Sequence, residues 1–168
     1  MKKKTLIFYY IIPLMFCQVL APNVGAITEA QETAIIENCS DIKESLKKVQ
    51  KDDSKTRVYL GGYYEAILTR FITPLNIRLV ENNLSSAKLI ENQNEFVADK
   101  SLFADDFIVY QKNLEDLVSI DCKEEPEEFY EKLDIVRQKR AVMVQDTLKI
   151  RSLLTSHVRL VEGLKGKI

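Results

Sequence analysis

The sequence predicts an all-α protein: an elongated antiparallel three-helix bundle with coiled-coil-like seams, behind an N-terminal signal peptide. Three observations carry this. Glycine and proline are scarce beyond residue 26. Apolar side chains recur every seven residues through the second half of the chain. The first 26 residues have the three-part layout of an export signal.

The export signal begins with the basic triplet Lys2, Lys3 and Lys4. An almost unbroken apolar run follows from Thr5 to Phe16, and Val24-Gly25-Ala26 offers small residues at the two positions a signal peptidase reads. A spanning helix needs about 20 predominantly apolar residues. Here Pro13, Gln18, Pro22 and Asn23 interrupt a run that is already short. Cleavage after Ala26 is therefore expected, with no stable membrane span afterwards; an uncleaved signal anchoring the chain to the membrane is the alternative. Lipoprotein acylation at Cys17 would need small residues before it, and Met15 and Phe16 stand there instead. The short tri-lysine start reads as bacterial. The expected location is secreted, or extracytoplasmic at the cell surface.

Of the 168 residues, removal of the first 26 leaves Ile27 to Ile168, 142 residues, a length that suits one helical domain with a real core. Loss of the three lysines leaves 21 basic against 25 acidic residues, a net charge of −4. That balance gives no reason to expect nucleic acid or an anionic membrane surface as partner.

After Ala26 the only glycines and prolines are Gly61, Gly62, Pro74, Pro126, Gly163 and Gly166. Strand proteins need turn residues far more often, so long helices are expected. The first helical region, about 40–82, starts between Thr28 and Ser40. Ile35, Cys39, Ile42, Leu46 and Val49 step along it by four and three. It should be kinked or broken in at least one of three places: the wholly polar Lys51–Arg57, the Gly61-Gly62 pair, or Thr73-Pro74. Asn82-Asn83 then turns the chain, and Ser85-Ser86 supplies an N-cap.

The second helix, about 86–120, carries Phe96, Phe103, Tyr110 and Leu117 every seven residues, with Phe107 and Leu114 interleaved. The third, about 126–162, carries Phe129, Val136, Met143, Ile150 and His157, a series that Leu164 continues just past its end, with Leu133, Leu154 and Val161 interleaved and Arg140 and Thr147 as interruptions. Pro126 suits its first turn, and Glu127, Glu128 and Glu131 suit its positive end. At 1.5 Å per residue these two helices would be about 52 and about 55 Å long.

Cys39 and Cys122 are the only cysteines left after cleavage, and an even pair in an exported chain reads as a disulfide. Their midpoint falls between residues 80 and 81, next to the Asn82–Ser86 turn, so folding there brings both to one end of a helical hairpin. The first arm is about nine residues the longer, a mismatch that a kink could absorb. Two cysteines and one scattered histidine do not make a zinc set, and no metal site or cofactor is expected.

Few residues could carry chemistry. His157, the only histidine, lies on the apolar stripe; it reads as a hydrogen-bonded helix residue first and as a ligand or pH-sensitive group second. The acidic run Glu124–Glu131 lacks the loop glycine and alternating ligands of an EF-hand, and a helix N-terminus accounts for it. Tyr59, Tyr63 and Tyr64 flank the paired glycines, which could shape a pocket or admit another helix. Together with His157 they are the expected small-ligand residues. Arg70, Arg78, Arg137 and Arg140 could meet an anion but are ordinary on exposed helical faces. There is no Gly-rich phosphate loop, haem motif or nucleophile elbow. The function expected is therefore a non-enzymatic helical interaction module, binding a protein partner or itself through its helical faces. The alternative is a small-ligand-binding or sensor-like bundle. An enzyme working through carboxylates ranks last.

Overall fold

Thr28 sets the first described helix. In the computed structural model, which describes residues 27–84 and 87–164, the Thr28 hydroxyl accepts from the Gln31 N–H while Gln31 Oε1 accepts from the Thr28 N–H at 3.0 Å. This reciprocal capping box opens α1, Glu29–Glu37. At Asn38 the backbone leaves helical geometry, and its side chain donates to the Ala34 carbonyl at 2.8 Å. The next helix, α2, begins one residue later and runs Cys39–Ile67. A short helix thus precedes the first arm expected from the sequence, and the described chain is all-helical with four helical stretches rather than three.

The first arm runs unbroken through two of its three expected weak points. Lys51–Arg57 and Gly61-Gly62 both lie within regular α2. The irregularity falls at the third. Pro74 has no N–H and its ring crowds the carbonyl four residues back, so a regular helix cannot pass through it undisturbed. The chain widens into a π-turn at Leu68–Ile72, where the Thr73 N–H bonds the Leu68 carbonyl, and then resumes as α3, Thr73–Glu81. Asn83 closes the arm with φ 58°, a left-handed conformation that Asn tolerates better than most residues. The Leu84 N–H reaches the Leu79 carbonyl at 2.8 Å and the Asn83 N–H reaches Val80 at 3.0 Å, the two bonds of a Schellman motif. The Ser85-Ser86 cap, the signal segment 1–26 with Cys17, and the terminal Gly166 lie outside the described residues.

The remaining helices match their expected limits closely: α4 is Ala87–Ser119 and α5 is Pro126–Glu162, with Pro126 in the first turn. All six members of the α4 seven-residue pattern are buried, as are Phe129, Val136, Met143, Ile150 and His157 of α5. Contacts fix the register. Asn76 meets Leu89, Glu65 meets Lys100 and Ser54 meets Gln111, each pair centred between Asn82 and Asn83. On the other side of α4, Asp116 meets Lys132 and Asp99 meets Lys149. Both neighbours of α4 therefore run antiparallel to it.

Cys39 and Cys122 form the expected disulfide, with Cα atoms 5.7 Å apart. Their centre is offset from the register of the rest of the hairpin. The chain absorbs this after Ser119, where it leaves the helix and each residue can span more than the 1.5 Å helical rise.

The core has two halves of different character. Around the disulfide, Cys39, Leu114, Leu117, Cys122 and Phe129 pack with Ile35 into an apolar cluster. Towards the Asn83 turn, the core admits Asn76, Asn92, Asp99 and His157, which are the buried polar side chains among the described residues. No described helix is long and apolar enough to cross a membrane.

Candidate functional site

Helix α4 contacts both neighbours, but no Cα of α2 comes within 8 Å of one in α5. The two outer helices stand apart, and the space between them is a groove floored by α4. One polar strap crosses it. Arg140 of α5 donates from Nε and Nη2 to the two carboxylate oxygens of Asp53 in α2, both at 3.0 Å. From below, the hydroxyl of fully buried Tyr110 in α4 donates to Asp53 Oδ2 at 2.6 Å. Asp53 is thus saturated by a forked guanidinium and a phenol, an arrangement that fixes geometry as well as charge. Burial, and then the Asp53 carboxylate, hold the Tyr110 phenol well above its usual range. The hydrogen bond to Asp53 raises Arg140 further above its own.

The strap divides the groove. On the disulfide side, about 590 Å³ lies between α1 with the start of α2 and the start of α5, lined mainly by Ile35, Ile42, Leu46, Val49 and Leu133 and by no residue of α4. On the other side, about 320 Å³ lies over Phe103 and Phe107, with Leu60, Arg57, Met143 and Val144 as walls. The floor coincides with a slip in the α4 pattern. Its buried positions step alternately by three and four, except that Asp99, Phe103 and Phe107 are separated by two successive fours. Such a stutter unwinds a supercoil locally. Arg57 lies with its guanidinium 5.2 Å from the Phe107 ring centroid.

The residues singled out as ligand-binding from the sequence occupy three different environments. Tyr59 and Tyr63 stack on the outer surface with ring centroids 6.4 Å apart and remain 71% and 48% exposed. Tyr64 turns inward and packs edge-on against Phe96 and Phe103; burial and neighbouring Tyr63 raise its phenol pKa. His157 is buried a layer away, its Nδ1 3.0 Å from Asn92 Oδ1, while Nε2 has no protein partner. Burial lowers its pKa. No close approach exploits the paired glycines: a Cβ at Gly61 or Gly62 would meet nothing within 4 Å.

Seven residues along α4 from Asn92, beyond buried Phe96 and Ile150, lies a second polar layer. Asp99 accepts from Lys149 Nζ at 2.6 Å, and that bond raises the lysine. Burial, and then Asp106 and Asp99, raise the Asp146 carboxyl. Among the described residues no three such side chains converge to hold a metal ion.

The strap was the feature least visible beforehand. Arg140 registers in the sequence as an interruption of a stripe and as one of four arginines that could meet an anion, and Asp53 as one residue of a polar run. The signal available was a charged residue at a core position facing a polar stretch of another helix. Comparison of the chain with protein-family models, with curated proteins and with solved structures finds no match.

Proposed function

We propose that this chain is an exported helical interaction module, an elongated antiparallel three-arm bundle with coiled-coil-like seams that offers one helical face to a protein partner or to a second copy. The observation that carries this reading is the exposed, stacked Tyr59–Tyr63 pair beside Val58, itself 71% exposed, on the outer face of α2. Tyrosine supplies large contact area at low entropic cost and is enriched among the residues that dominate interface energy. The pair is stacked before any partner arrives, so little ordering is needed on binding. The disulfide supports export, because such bonds persist in oxidising compartments. Cleavage after Ala26 belongs to the same reading.

The experiment compares the full chain, exported by its own signal, with a Tyr59→Ala/Tyr63→Ala variant. Light scattering on the processed protein tests self-association, and crosslinking at the surface of the producing cell tests a partner. The variant should lose the association while its melting temperature stays close to that of the parent, since neither ring is in the core. An association equally strong in the variant, or a strictly monomeric protein with no crosslinked partner, would contradict the reading.

A further inference from the structure

We propose that the smaller compartment of the α2–α5 groove binds an amphipathic monoanion: an apolar body carrying one carboxylate. Its volume, about 320 Å³, is at the lower end of small-molecule sites. The floor is aromatic, from Phe103 and Phe107, and Met143 adds an adaptable wall. An apolar body seated there would displace water from surface that is otherwise wet.

The charge at the site selects the sign of the ligand. Three ionised side chains line this compartment: Asp53, Arg57 and Arg140. Asp53 has both oxygens taken by Tyr110 and Arg140, and Arg140 spends Nε and Nη2 on Asp53. The hydroxyls at the rim are also occupied, Thr56 donating to the Asp52 carbonyl and Thr147 to that of Val144. Of these three, Arg57 alone has neither a carboxylate nor a hydrogen-bond partner among the described residues; the residue is half-buried, with its guanidinium against Phe107 at the groove wall. The lining carries one net positive charge, with a forked donor set suited to a carboxylate. A cation or a dianion would match it less well. The larger compartment offers Asp41 and Arg137 together and so has no such preference.

The test uses the full chain labelled with 13C at the methionine methyl groups. Its methionines are Met1, Met15 and Met143, and Met143→Leu assigns the resonance of the methionine that lines the groove. Octanoate is the probe and octanamide its neutral counterpart. Octanoate should shift the Met143 methyl saturably, and octanamide should bind about tenfold more weakly or worse, as expected for loss of a charge-assisted hydrogen bond. Arg57→Gln should bring octanoate down to the level of octanamide, while Arg57→Lys retains most of the affinity. Thr147→Trp, which fills the compartment, should abolish the shift with helix content unchanged. If that variant misfolds, the Arg57 pair decides alone. The proposal is overturned by the absence of a saturable shift below the aggregation limit of octanoate, by equal affinity for the two probes, or by full affinity in Arg57→Gln.

Discussion

Gly61 and Gly62 sit in the interior of a continuous helix, with helical backbone angles that any L-residue accepts and open space where a side chain would go. Glycine there lowers helix propensity without a packing reason for its presence. Replacing each by Ala should raise stability by about 0.5–1 kcal/mol per site, read as a shift in the denaturant midpoint at unchanged slope. His157 gives a second test at this scale. Burial lowers its pKa in the folded state, so on acidification the unfolded chain takes up the proton first and stability falls as pH drops through the ordinary histidine value of 6.5. Asp146 acts the other way, since its raised pKa means that protonation relieves first the cost of burying its charge and then the repulsion from Asp106 and Asp99, but it does so nearer the carboxylate range. Thermal melting between about pH 7.5 and 5.5 should therefore show a decline that His157→Gln flattens. An unchanged pH profile in that variant would show that His157 is not the group responsible.

Individual elements differ in how much of them could be read in advance. Helices α4 and α5 were legible almost to the residue, because long Gly- and Pro-free spans and seven-residue stripes are local signals. The π-turn was half legible: Pro74 marks the spot, but whether a proline breaks, kinks or widens a helix depends on what the flanking turns pack against. The glycine pair misled, because propensity is a weak prior inside a helix whose ends are anchored by Cys39 and Tyr64. The strap was not legible, since it depends on the relative register of α2 and α5, helices whose backbones do not touch. It can be tested by unequal losses. Asp53→Ala strands the buried Tyr110 hydroxyl and should cost about 1–3 kcal/mol. Arg140→Ala leaves Asp53 its hydrogen bond from Tyr110 and lets water in where the guanidinium, on a side chain 53% exposed, had stood, so it should cost less, about 1 kcal/mol or below. Equal costs in chemical denaturation would mean that the phenol finds another acceptor.

At the scale of the whole molecule, stability is distributed unevenly. The disulfide half is apolar and crosslinked; the half near the Asn83 turn carries buried Asn76, Asn92, Asp99 and His157. Such polar groups contribute less than hydrocarbon when imperfectly paired, and Asp99 Oδ2, Asn76 Oδ1 and His157 Nε2 have no protein partner. The Cys39–Cys122 bond closes a loop of sequence separation 83, which in the chain-entropy model contributes about 4–5 kcal/mol. Replacing both cysteines by Ser should lower stability by a few kcal/mol and leave much of the helix in place, because the buried stripes of α4 and α5 do not depend on the bond. The central claim, a hairpin of α2 and α4 stapled outside the cytoplasm, is tested most directly by peptide mapping under non-reducing conditions. The sample is protein taken from outside the cytoplasm and alkylated at once. The account predicts one intramolecular crosslinked peptide pair containing Cys39 and Cys122, from a chain beginning at Ile27. Alkylation of both thiols, or crosslinks found only between molecules, would contradict it.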